Sequence, residues 1–117
     1  MQYTRRCPQR HEHEHDERGG DGHTSLTLIN EGAYDHAIQL LLQGLADMGL
    51  PVFLRLGQEF NGQWNRYDAA EYVAAHRRIA SALAKQQPAL RERTALVWDA
   101  TCDADQDHCD YMPYYPG

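Results

Sequence analysis

PVFLRLGQEFNGQWNRY, residues 51–67, runs from an apolar segment straight into a polar and aromatic loop, with one carboxylate, Glu59, at the junction. Pro51 with Val52, Phe53, Leu54 and Leu56 has the length and the β-branched or aromatic content of a strand covered on both faces, as in a parallel α/β sheet. Arg55 breaks that run. A guanidinium inside an apolar strand is costly unless paired and hydrogen-bonded, so one face of the strand is expected to point at a polar site. Side chains alternate along a strand, so Phe53, Arg55, Gly57 and Glu59 share a face if the extended conformation persists that far.

The flanking sequence supplies regular helical signals. Ile38, Leu41, Leu42, Leu45 and Met48 recur at intervals of three and four, Asp35 stands where an N-cap belongs, and Gly49 followed by Pro51 supplies the stop. A second helix is expected from Asp68, where Asp68 and Glu71 have capping-box spacing, with Tyr72, Val73, Ile79 and Leu83 on one side until Pro88. Residues 94–98, TALVW, read as another short buried strand. Helix, strand, loop, helix, strand is the alternation of a parallel sheet with a right-handed crossover, which fits either a doubly wound sheet or a (β/α)8 barrel.

The first 24 residues are a different kind of sequence. QRHEHEHDERGGDGH is polar and nearly free of large apolar side chains, so it cannot bury enough surface to offset its conformational entropy and is expected to be disordered or irregular. Residues 25–117 then form the domain. Alternating His11, His13 and His15 with Glu12, Glu14 and Asp16 could chelate a transition metal, but short biased tracts without flanking structure are usually solvated. No internal repeat is visible.

Composition excludes several functions. At 117 residues and 42% hydrophobic content there is material for one ordinary domain at most. A net charge of −6 without a Lys/Arg stripe argues against nucleic acid and anionic membrane as partners. No apolar h-region follows Met1 and nothing approaches transmembrane length, so no signal peptide and no membrane span are expected.

Polar residues cluster where both strands end. Gly57 and Gly62 lack the GxGxxG spacing and the lysine of a phosphate loop. Glu59, Asn61 and Trp64 follow the first strand, and Trp98 and Asp99 the second. Functional residues at the carboxyl ends of strands are the habit of barrel enzymes. Trp and Tyr beside carboxylates and amides suit a sugar, whose C–H faces stack on rings while its hydroxyls take hydrogen bonds. Core packing is the competing role for each aromatic, and for Trp98 the two are evenly balanced.

Residues 30–117, and above all RLGQEFNGQWNRY with the later LVWD and YYPG, resemble the middle of family 26-like glycoside hydrolases, the β-mannanase-like barrels that use two glutamates. The resemblance implies a retaining glycosidase of (β/α)8 barrel fold acting on a β-linked polysaccharide or oligosaccharide, with this chain covering about strands four and five. It implies Glu59 as general acid/base, with Arg55, Asn61 and Trp64 as positioning or sugar-stacking residues. Trp98 matches a residue at the end of the next strand, and Tyr114 and Tyr115 lie in the YYPG that leads onward. No cofactor or metal is implied, and the family is mostly secreted.

Two departures stand out. Gln58 occupies the place where many members have His. The family's nucleophile, a second Glu on the seventh strand, has no counterpart, since no Glu follows Glu92. Retaining hydrolysis needs two carboxyl groups about 5–5.5 Å apart. A barrel typically needs about 250 residues and eight strands, so the chain is expected to be a partial barrel whose open edges favour self-association.

The tail holds further signals. Asp103, Asp105 and Asp107 alternate like the start of a Ca²⁺ loop, but His108 stands where Gly is required and no Glu closes the site, so a solvated loop is expected. Cys102 and Cys109 could form a disulfide or, with His108, bind metal; the family's secreted character favours the disulfide. Cys7 is left over. A non-catalytic carbohydrate-binding relic using Trp64, Trp98 and the tyrosines, and a metal-binding protein using the His-rich head or Cys/Asp tail, are the alternative functions.

Overall fold

A computed structural model describes residues 22–102 and 110–117, with side chains from residue 25 onward. The order is α1 (Gly22–Asn30), α2 (Asp35–Met48), β1 (Val52–Arg55), α3 (Ala69–Ala84), α4 (Pro88–Glu92), β2 (Thr94–Val97) and a 3-10 turn at Met112–Tyr114. The two strands pair in parallel, with Val52 opposite Thr94 and Arg55 opposite Val97. The fold is a small mixed helix and strand unit with a parallel strand pair. The first of the described residues, Gly22–Asn30, are helical.

Local signals explain most of these elements. The Asp68 carboxylate accepts the Glu71 N–H at 3.0 Å, which caps α3 as its spacing predicts. Gly49, in the left-handed region at φ 69°, ends α2. Arg93 completes that helix end, donating to the carbonyls of Ala46 and Leu50 at 2.8 Å and reaching Leu45 O at 3.2 Å. A cation placed there satisfies orphan carbonyls and complements the helix dipole.

Asp35 does something other than cap. Tyr34 holds the N-cap position without a side-chain bond, and the Asp35 carboxylate instead takes Arg78 in a fork, Nε to Oδ1 at 2.9 Å and Nη2 to Oδ2 at 2.7 Å. The Arg78 hydrogen bonds hold the Asp35 carboxyl below the usual carboxylate range. A bidentate charge-assisted pair is stronger than a lone cap bond, so α3 captures the side chain that local sequence assigns to α2.

Strand β1 is covered on one face only, not both. Val52 and Leu54 are half-buried against the helices, while Phe53 is 82% exposed and Arg55 is exposed with it.

Two apolar clusters hold the unit together. Leu42, Leu83 and Leu90 tie α2, α3 and α4, with Ile38, Leu45 and Leu96 against them. Leu26, Phe60, Tyr72 and Ala75 tie α1 and α3 to the loop after β1. His76 lies beside the second cluster, 7% exposed, and neither ring nitrogen has a hydrogen-bond partner.

Desolvation pushes the His76 pKa below its ordinary 6.5. The folded chain therefore keeps His76 neutral at pH values where the unfolded chain protonates. Stability from this residue is full above about pH 6.5 and falls as pH drops below it, because only the unfolded state binds the proton. Denaturant midpoints measured at pH 7.5 and 5 are expected to fall for the native chain, and to fall clearly less for His76→Phe. Equal falls in both proteins would show that His76 does not carry the dependence.

Candidate active site at the carboxyl ends of the strands

The chain leaves β1 through a turn that requires glycine. Gly57 sits at φ +73°, and a Cβ there would come within 3.0 Å of the Tyr72 ring and 3.3 Å of the Tyr67 ring. Tyr72 closes the same corner by donating its hydroxyl to Leu56 O at 2.7 Å, and burial pushes its pKa up to about 12. The extended conformation does not persist to residue 59. Arg55 and Glu59 consequently do not share a strand face, as the alternation of side chains would have had them do.

Glu59 is held in a left-handed backbone conformation, φ 49°, which costs a non-glycine residue of order 1 kcal/mol or more. The surrounding loop enforces it. Glu59 O accepts from Gly62 N–H at 2.8 Å and from Asn65 Nδ2 at 2.7 Å, and the same Asn65 amide reaches Gln58 O at 3.0 Å. The side chain is half-buried, and its carboxylate accepts no hydrogen bond among the described residues.

The loop is stitched to the end of β2. Phe60 N–H donates to Asp99 O at 3.2 Å. Asn61 exchanges two bonds with Thr101, Nδ2 to Thr101 O and Thr101 N–H to Oδ1, both at 2.8 Å. Phe60 itself is fully buried, stacked on Tyr72 and Trp98 with ring centroids 4.9 Å away in each case, and tilted against Tyr114 at 5.3 Å. An alternating pattern of types could not have marked Phe60 as this anchor, because it lies in a loop.

Arg55 donates from Nη1 to Asp99 Oδ2 at 3.1 Å across the two strand ends. Their side chains are 51% and 28% exposed, so the pair is worth about 1 kcal/mol at most. It supplies the polar partner that an arginine in an apolar strand needs.

Trp64 is 58% exposed, and its ring lies over Gly62, where any Cβ would overlap it. Trp98 is half-buried. Its Nε1 donates to Tyr114 O at 3.2 Å, and its ring meets Tyr115 edge-on at 5.3 Å. Trp98 and Tyr115 line a hollow of about 310 Å³ between α3 and β2, together with His76, Ala80 and Leu96. Glu59, Asn61 and Trp64 thus share one loop, Arg55 pairs with Asp99 beside it, and Trp98 and Tyr115 surround a separate depression.

Among the described residues no group of three or more His, Cys, Asp or Glu side chains is placed to hold an ion. Cys102 is disulfide-bonded, so its sulfur is not a free thiolate ligand, and its partner lies outside the described residues. His11, His13, His15 and the Asp103, Asp105 and Asp107 run also lie outside them. No helix among the described residues is long and apolar enough to cross a membrane.

Comparison with protein-family models, curated proteins and solved structures found no significant match.

Proposed function

We propose that this chain supplies the acid/base half of a retaining β-mannanase-like glycosidase site, on two consecutive units of a (β/α)8 barrel. The observation that carries this reading is the constrained Glu59 in a loop after a parallel strand, three bonds from its neighbours holding the turn and none taking its carboxylate. Strain kept in a non-glycine residue at a strand's carboxyl end is a mark of a working site.

In this mechanism the Glu59 carboxylic acid gives its proton to the glycosidic oxygen as the bond to the anomeric carbon breaks. A second carboxylate, contributed from outside the described residues, takes the anomeric carbon to form a glycosyl-enzyme. The Glu59 carboxylate then accepts a proton from the water that releases the sugar. Asp99 is a poor nucleophile, because its carboxylate is engaged by Arg55. Asn61 acts through position: its bonds to Thr101 hold the loop that carries Glu59. Trp64 offers the exposed face on which a sugar ring stacks, a contribution that a non-catalytic carbohydrate-binding role would share.

Titration with β-1,4-linked manno-oligosaccharides followed by calorimetry tests the sugar half of this reading. Saturable binding is expected, weakened about tenfold or about 1.4 kcal/mol by Trp64→Ala. No saturable heat with either β-mannan or β-glucan oligosaccharides at millimolar concentration would rule out both the catalytic and the binding role.

A further inference from the structure

His76 sits on α3 with 7% of its surface exposed, and neither ring nitrogen has a hydrogen-bond partner among the described residues. A buried imidazole gives up its bonds to water, and leaving them unreplaced is costly. Native structures rarely keep such a group with nothing to meet it. His76 borders a hollow of about 270 Å³ lined by Leu26 and Ile29 of α1, Leu54 and Leu56 of β1, and Ile79 of α3. It also borders the hollow beside Trp98, but Tyr115, Pro116 and Gly117 already stand in that wall.

The elements around the first hollow are fastened to one another. The Thr27 hydroxyl donates to Glu71 Oε1 at 3.0 Å and Asn30 Nδ2 donates to Glu71 O at 3.1 Å, which fixes α1 on α3. The Tyr72 hydroxyl donates to Leu56 O at 2.7 Å, which fixes α3 on β1. Walls held in this way resist closing over the space between them, so the site is formed before anything enters it.

The lining has the character of a small ligand site. Apolar side chains make most of the wall, the rings of Tyr67 and Tyr72 stand together in it, and His76 is its buried polar group. Burial favours the neutral imidazole, which offers one N–H donor and one bare nitrogen acceptor. A hydroxyl satisfies either nitrogen, since it both donates and accepts. A charged ligand finds no counterion, because Arg55, the one charged residue of the lining, gives its guanidinium to Asp99.

We infer that the hollow between α1, β1 and α3 binds a small neutral aromatic alcohol, its ring among the apolar side chains and its hydroxyl bonded to His76. The inference does not depend on the role of Glu59, which is not part of this lining.

Titration of the isotope-labelled full chain with p-cresol and with p-xylene, which differ only in a hydroxyl against a methyl, tests it by NMR. p-Cresol is expected to shift the His76 ring nitrogens saturably and to show intermolecular contacts with the methyl groups of Leu54, Leu56 and Ile79. It is expected to bind about tenfold more tightly than p-xylene, because a site with a buried polar group rejects the analogue that leaves it unpaired. His76→Phe is expected to bring the two affinities together, and should that variant not fold, the native comparison decides by itself. No saturable shift at millimolar p-cresol, the result if another part of the chain already fills the hollow, would overturn the inference. So would equal affinities for the two probes in the native chain, ligand contacts at Trp98 or Trp64 instead, or a preference that survives in His76→Phe.

Discussion

Phe60→Ala is expected to remove about 3–5 kcal/mol of folding stability, the range for truncating a fully buried phenylalanine. Phe60 has no exposed surface and is one of the largest fully buried side chains. Its ring lies between Tyr72 and Trp98 and touches Tyr114, so the same truncation opens contacts to α3, to the end of β2 and to the 3-10 turn. Each aromatic pair adds about 0.5–1.5 kcal/mol beyond area burial, although three pairs on one ring do not add independently. Domains of this size hold about 5–15 kcal/mol in total, which places the variant near the edge of folding. Urea titration followed by circular dichroism measures the loss. Phe60→Leu, which keeps most of the volume without the rings, should recover part of it. A loss for Phe60→Ala below about 1 kcal/mol, the level typical of a surface substitution, would mean that Phe60 is not the anchor of this loop.

Glu59→Gln is expected to lower hydrolysis of unactivated β-mannan oligosaccharides by about 10²–10⁴-fold, the usual contribution of a positioned general acid. The amide keeps the shape of the side chain and so should leave oligosaccharide binding close to native. It cannot protonate the leaving oxygen. Aryl glycosides whose leaving group departs without a proton should therefore lose much less in their first step, and this contrast separates an acid/base from a residue that merely shapes the pocket. The measurement belongs on whatever assembly of the chain shows turnover. Equal losses on both substrate types would remove Glu59 from the acid/base role, and an unchanged rate on unactivated substrate would remove it from the mechanism.

Phe60 and Glu59 are adjacent, and that adjacency links stability to chemistry. Burying Phe60 fixes the backbone on which Glu59 is held at φ 49°, while Asn65 and Gly62 close the turn around it. The strain at Glu59 is thus offset by packing one residue away. A site built in this way is positioned by the core beneath it.

Short-range pattern was sufficient for the two strands and for α2 and α3. Val52 to Arg55 and Thr94 to Val97 form parallel strands because apolar runs of that length, separated by a capped amphipathic helix, have few other arrangements. Asp68 caps α3 because the interaction spans three residues and needs no outside partner. Gly49 ends α2 for the same reason.

Wherever a residue had two partners to choose from, contacts distant in sequence settled the choice. Asp35 left its cap position for Arg78, 43 residues away, because two bonds to a guanidinium outweigh a single cap bond. No helix is marked in the sequence before Asp35, yet Gly22–Asn30 is helical in a setting where Leu26 enters the core and Asn30 bonds the backbone of Glu71. The turn at Gly57 is tied to rings contributed by Tyr67 and Tyr72, which no strand periodicity can foresee, and it is this turn that separates Glu59 from the face of Arg55. Trp98, evenly balanced between core and sugar from its type alone, packs on Phe60. Backbone propensity acts over a single turn of chain, whereas a carboxylate or a ring binds whatever the fold brings within reach. The strands and capped helix were therefore legible in the residues, and the placement of Asp35, Glu59, Phe60 and Trp98 was set by the packed structure.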